Sequence, residues 1–206
     1  MKKYALDLFS GSGNVTHELE KQGFIVFSCD WNTRYNAWFC GNILEFPFQK
    51  ISEKISVIWA SPDCSTFSRE ASPALWSKET LKYRQYRYTA LTSRSMAALS
   101  YVAQTIKIIQ YFKPALWIIE NPVGRLRHLE IMGQFAPYRY CVNYRDWGFD
   151  YSKETDIYTN QLFALPTIKT VYPGQGVMSL NTSFQRSKVP PLLVDFLVNH
   201  SVFDNA

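Results

Sequence analysis

The sequence predicts an α/β fold, doubly wound around a mostly parallel sheet, and three observations carry that expectation. Short apolar runs suited to buried strands recur at Tyr4 to Phe9, Phe24 to Cys29, Ile55 to Ala60 and Pro114 to Ile119. Segments with helical periodicity, Val15 to Gln22 and Met96 to Phe112, fall between them. The first run also leads through Ser10-Gly11-Ser12-Gly13-Asn14 straight into the first helix, a strand, glycine turn and helix in sequence.

The bulk composition agrees. A chain of 206 residues, 47% hydrophobic and 16% aromatic, has enough apolar material for one sizeable core without a disulfide or metal staple, so residues 1–206 read as a single domain. Net charge +5 leans toward an anionic partner such as nucleic acid. The four cysteines and three histidines show no Cys-x-x-Cys pair and no histidine pair at ligand spacing, which argues against a structural zinc site. Asp7 and the glycine turn interrupt the first apolar run too early for a signal peptide, and no stretch approaches the ~18 apolar residues of a membrane span. The expectation is a monomeric cytoplasmic protein in a reducing compartment.

In the first β-α-β unit, Asp30 follows the first glycine by about 20 residues, as nucleoside-binding units require. Its carboxylate suits ribose hydroxyls, and Trp31 suits a purine face. Thr16 stands where a dinucleotide fingerprint has its third glycine, which disfavours a pyrophosphate binder. Gly41-Asn42-Ile43-Leu44 is a loop placed to meet an adenine edge. The run Ile55 to Ala60 then delivers Ser61-Pro62-Asp63-Cys64, a thiol at a strand end where open α/β sheets bind their ligands. Such a cysteine is a nucleophile if its thiolate is favoured; otherwise it is a small buried hydrophobe.

Between Ser68 and Met96, Arg69, Lys78, Lys82, Arg84, Arg87 and Arg94 are interleaved with Trp76, Tyr83, Tyr86 and Tyr88. That mixture suits phosphate contact and base stacking, or a solvated face. The run Pro114 to Ile119 ends in Glu120-Asn121-Pro122, so two strand ends could point Cys64 and Glu120 into one crevice, with Arg125 and Arg127 nearby. Tyr138 to Tyr144 reads as a further strand, Asp150 to Asn160 as a hairpin, Ala164 to Thr182 as loop, and Val189 to Val198 as a short closing helix opened by Pro190 and Pro191.

In this order the segments resemble the DNA cytosine-C5 methyltransferases, especially short single-domain members often carried by phages. The resemblance implies an S-adenosylmethionine-dependent, Rossmann-like methyltransferase fold. It places the cofactor on Phe9, Gly11, Ser12, Gly13, Asp30, Trp31, Asn42, Ile43, Pro62 and Val189. It makes Cys64 the nucleophile that adds to cytosine C6 and Glu120 the carboxyl group on the base's N3 edge. Tyr151, Lys153 and Thr155 align with a Gln-x-Arg-x-Arg motif, which implies that Lys153 and Thr155 attend the base. The cytosine must be flipped out of its stack, so Arg69, Lys82, Arg84, Arg87, Asn121, Arg125 and Arg127 are implied DNA contacts.

Three departures stand out: Asp63 replaces the usual proline before the nucleophile, Asn42 replaces an aspartate, and Thr155 replaces an arginine. Residues 160–184 form a short linker where larger relatives carry a target-recognition domain. The expectation is a short or degenerate site, a partner that supplies recognition, or exposed single-stranded cytosines. Methylation of RNA or a free nucleotide, and nucleic-acid binding without turnover, are the alternative readings. Methylation of an exocyclic amine is disfavoured because Ser61-Pro62-Asp63-Cys64 lacks the aromatic residue of those enzymes.

Overall fold

A computed structural model of the chain describes residues 2–81, 86–166, 175–176 and 187–201. In chain order its elements are β1 (Lys3–Leu8), α1 (Asn14–Lys21), β2 (Phe24–Asp30), β3 (Phe39–Cys40), β4 (Ile55–Ala60) and α2 (Cys64–Phe67). Next come β5 (Trp76–Thr80), β6 (Tyr86–Ala90), α3 (Ser93–Phe112), β7 (Leu116–Pro122), α4 (Glu130–Phe135) and β8 (Tyr138–Asn143). The last are β9 (Tyr151–Ser152), β10 (Glu154–Thr159), β11 (Gln175–Gly176) and α5 (Pro191–Asn199).

The central strands are apolar without a break because they are covered on both faces, as parallel strands in doubly wound sheets must be. Alternate residues serve opposite layers. Leu6, Leu8, Ile58, Ala60 and Ile119 pack toward Ala98, Val102, Ile106 and Ile109 of α3. Ala5, Val57, Trp59 and Ile118 pack toward Val15 and Leu19 of α1 and Leu193, Val194, Leu197 and Val198 of α5. The seven-stranded order is β3-β2-β1-β4-β7-β10-β8, with β10 antiparallel to both of its neighbours. The order of strand addition reverses between the parallel strands β1 and β4, so a crevice opens at their C-terminal ends.

Three elements differ from the sequence expectation. β7 runs on through Glu120 and Asn121 to Pro122, because β10 supplies an antiparallel ladder that pairs Ile157 with Glu120 and Thr155 with Pro122. The basic-aromatic stretch forms an antiparallel hairpin of β5 and β6, with Trp76 opposite Ala90 and Thr80 opposite Tyr86. Asp150 to Asn160 is split: β10 pairs with β8, whereas β9 pairs in parallel with β11. α3 begins at Ser93, just ahead of its apolar stripe, because Thr92 and Ser95 form a capping box. Among the described residues, no helix is long and apolar enough to cross a membrane, and no cluster of His, Cys, Asp and Glu could hold a metal ion.

Candidate active site

β4 ends at Ala60, and the chain turns through Ser61 and Pro62 into the single-turn helix that starts at Cys64. Asp63 caps that helix. Its carboxylate accepts from the Ser65 N–H at 2.9 Å and from the Thr66 hydroxyl at 2.8 Å. Asp63 therefore has a local structural role, since its cap presents Cys64 at the head of α2.

The turn is clamped from several sides. Asn121 Nδ2 donates to the Pro62 carbonyl at 2.7 Å, and Trp76 Nε1 donates to the Thr66 carbonyl at 2.9 Å. The Arg125 guanidinium donates to the carbonyls of Ser68 and Ala71. Ser68 also forms a β-bridge with Gly124, which lies just beyond β7.

Glu120 is buried in β7, and Tyr144 Oη donates to its Oε1 at 2.7 Å. Lys153 Nζ lies 3.5 Å from the same oxygen and 4.6 Å from the centre of the Tyr144 ring. Ion pair, cation–π contact and hydrogen bond thus fix the carboxyl group within a low-dielectric pocket. Burial first, and the charge of Glu120 second, push the Tyr144 phenol well above its ordinary range, so it stays a donor. The Cys64 thiol is also raised. Desolvation is the main cause, Lys153 opposes it, and Glu120 and Asp63 add to it.

The glycine turn completes the crevice. Gly11 and Gly13 adopt φ +52° and +73°, conformations open to glycine and costly for other residues. Phe9 also has positive φ, 63°, a strained conformation held beside the crevice that it helps to line. The Gly11 N–H donates to Asp30 Oδ2 and the Asn32 N–H to Asp30 Oδ1, both at 2.8 Å, which ties the end of β2 to the turn. From the other end of the chain, Val189 docks by two hydrogen bonds with the Asn14 side chain, at 2.8 Å and 2.9 Å. Asn14→Ala is expected to lower stability by about 1–3 kcal/mol, read as a lower urea midpoint, because two partly buried backbone groups lose their partner.

Asp7 lies beneath this turn, buried, and accepts from the Thr16 hydroxyl at 2.6 Å. Burial pushes its carboxyl group from 3.8 up to about 7; the Thr16 hydrogen bonds oppose that rise and the charge of Asp30 adds to it. The folded protein therefore holds the Asp7 proton more tightly than the unfolded chain does. Its contribution favours the fold below about pH 4 and is lost as pH rises toward about 7. Asp7→Asn is expected to flatten that part of the stability profile by a few kcal/mol, checked by urea unfolding across the same window.

No protein-family model matches the chain. It is 29% identical over 168 residues to the frog virus 3 protein named "Probable DNA (cytosine-5)-methyltransferase", an alignment covering 75% of this chain and 69% of that protein. The chain is thus similar, below a third identity, to a protein named as a DNA cytosine-5 methyltransferase. Its fold is also that of an E. coli prophage protein assigned as a DNA modification methyltransferase, with TM-score 0.51, 13% identity and coverage of 77% of this chain and 46% of that one. A triple mutant of Spodoptera frugiperda DNMT2 matches with TM-score 0.52 and 17% identity over 80% of this chain and 52% of its own. The chain thus shares the Rossmann-like methyltransferase fold of these two solved structures and spans about half of their length.

Of the residues expected from sequence, Phe9, Gly11, Ser12, Pro62, Cys64, Glu120, Lys153 and Val189 line one crevice. Gly13 sits in the same turn, and Asp30 joins it through Gly11. Trp31 is 76% exposed beside Asp30. Asn42 caps a turn by accepting from the Leu44 N–H, and Ile43 packs into the core.

Other residues expected from sequence do not line this crevice. Thr155, two residues after Lys153, is fully buried beside Tyr144. Asn121 is buried and holds the Pro62 carbonyl, so it is not a direct DNA contact. Arg125 donates to the Ser68 and Ala71 carbonyls and lines a separate cleft, and Arg127 makes a two-pronged contact with Asp156 at 2.9 Å and 2.6 Å. Arg69 and Arg87 are exposed and pair with Glu154 and Glu79. Lys82 and Arg84 lie outside the described residues, as does most of the 160–184 linker.

Sequence reasoning missed Asp7 and Asn14 as crevice residues, and Tyr144 as the partner of Glu120. Asp7 and Asn14 flank the glycine turn and could have been found there. Tyr144 had no local signal, because it meets Glu120 only through the sheet.

Proposed function

We propose that this protein transfers the methyl group of S-adenosylmethionine to C5 of cytosine in DNA. The observation that carries the reading is the convergence of Cys64, Glu120 and Lys153 with the Phe9 to Ser12 turn in a single crevice. The printed name of the frog virus relative supports the same substrate. The residues present fit a nucleoside cofactor. Each Asp30 carboxylate oxygen accepts one backbone N–H and keeps capacity for a ribose hydroxyl, Trp31 offers an open aromatic face, and a Cβ at Gly13 would meet nothing within 4 Å. When bound, the cofactor supplies an electrophilic methyl group.

The chain's own residues do the rest. Cys64 Sγ, as thiolate, adds to C6 of a flipped cytosine and makes C5 nucleophilic. Glu120, oriented by Tyr144 and Lys153, accepts from the exocyclic amine and delivers a proton to N3 as C6 is attacked. Lys153 also favours the Cys64 thiolate, against burial and two carboxylates. After methyl transfer, loss of the C5 proton expels Cys64 and restores the aromatic ring.

Incubation of the purified protein with S-adenosylmethionine and cytosine-containing DNA, RNA or cytidine nucleotide, followed by nucleoside mass spectrometry, tests this assignment. 5-Methylcytosine is expected in DNA. Product only in RNA or nucleotide would overturn the substrate, and a folded protein with no product on any acceptor would overturn the reaction.

A further inference from the structure

A second cleft of about 240 Å³ opens beyond the catalytic crevice. Tyr88 and His128 line it together with Arg69, Gly124, Arg125 and Arg127. Gly124, in its lining, is bridged to Ser68. Ser68 comes shortly after Cys64 in the chain, and Gly124 shortly after Glu120.

The cleft combines aromatic surface with positive charge. The His128 ring packs 5.7 Å from Tyr88 and edge-on to Tyr86 at 5.8 Å, while Lys78 Nζ lies 3.7 Å over the Tyr86 ring. The Arg125 guanidinium is steered by two neutral carbonyls, so those contacts orient its charge without cancelling it. Arg69 is paired with Glu154 at 3.1 Å, and both side chains are more than half exposed, which makes that pair weak and readily exchanged for another anion. Arg127 is fixed on Asp156 and walls the cleft. The local field is positive: after burial, Arg127 and Arg139 are the largest influences holding His128 below its ordinary value, with Lys78 adding to them and Asp156 opposing.

A free phosphate would leave the rings unused, and an acidic peptide would leave the aromatic surface without a stacking partner. A nucleotide uses both, by stacking its base and placing its phosphate near the guanidinium groups. We propose that this cleft seats a nucleotide flanking the target cytosine in a single DNA strand, its base against Tyr88 and His128 and its phosphate near Arg69 and Arg125. The inference rests on the proposed cytosine chemistry for its placement of the strand. It gives the β5–β6 hairpin a part in holding the substrate.

The test is fluorescence anisotropy of a short labelled oligothymidylate, which contains no cytosine, with the full chain. His128→Ala is expected to weaken binding about tenfold through lost stacking. Arg69→Ala is expected to reduce the slope of log affinity against log salt by about one unit, and Lys21→Ala, on α1, to change neither. Undetectable binding by the wild type, equal affinities in wild type and His128→Ala, or equal weakening by Lys21→Ala would overturn the proposal. Tighter capture of oligouridylate, with oligothymidylate unbound, would overturn DNA as the strand. Methylation assayed in parallel separates the two readings. No cytosine product with His128-dependent binding retained overturns the reaction alone, whereas normal product with His128-independent binding overturns the cleft alone.

Discussion

Cys64→Ala is expected to reduce methyl transfer by on the order of 10⁴-fold or more while leaving cofactor affinity and thermal stability close to those of the wild type. The thiol is the only group in the proposed chemistry that bonds covalently to the base, so no neighbouring side chain replaces it. The fold should tolerate the change. Cys64 is an exposed first residue of α2, alanine is a good helix former, and the Asp63 cap uses Ser65 and Thr66 rather than the thiol. The measurement is transfer of labelled methyl groups, with calorimetric titration of S-adenosylmethionine alongside. Residual activity within tenfold of wild type would remove Cys64 from the reaction. The raised thiol adds a second signature: wild-type single-turnover rate is expected to climb with pH through neutrality as the thiolate fraction grows.

Gly124→Ala is the second large effect, and here the loss begins in the backbone. An added Cβ would lie 2.0 Å from the Phe67 carbonyl oxygen and 3.0 Å from Ser68 Cα, so main chain rather than a flexible side chain must move. Relief requires α2 and the following residues to lift away from β7. That movement would break the Ser68–Gly124 bridge and the hydrogen bond from the Arg125 N–H to the Phe67 carbonyl at 2.6 Å. The expected cost is about 2–4 kcal/mol of stability. Activity of the remaining folded protein is expected to fall by about a hundredfold, since displacement of Cys64 by an ångström is enough for that. Urea unfolding and methyl transfer under fully folding conditions measure the two losses separately; an unchanged pair of values would refute the packing argument.

The contrast between these two positions shows what a linear sequence displays. The Cys64 motif was legible because the run Ile55 to Ala60, its polar turn and the thiol are contiguous, and the same holds for the glycine turn and Asp30. Gly124 carried no such signal. Its requirement comes from Phe67, a residue far away in the chain that is brought against it by the end of β7. The hairpin at Trp76 to Ala90 was hidden for a related reason. Its exposed strands are mostly polar and charged, and only the register between them, with Lys78 opposite Tyr88, reveals the ladder. Tyr144 and Arg127 likewise acquire their meaning from buried partners, Glu120 and Asp156, supplied by other strands. Local chemistry was readable, whereas the supports that hold it in place depend on sheet pairing.

The paired hydrogen bonds between Asn14 and Val189 join residues 175 positions apart. During synthesis, the glycine turn leaves the ribosome long before the segment that completes its surroundings. The nascent chain can therefore form β1 and α1 early, but one wall of the crevice waits until Val189 and α5 have emerged. Ribosome-bound chains halted before Val189 should lack that wall, so competence arrives late and almost at once.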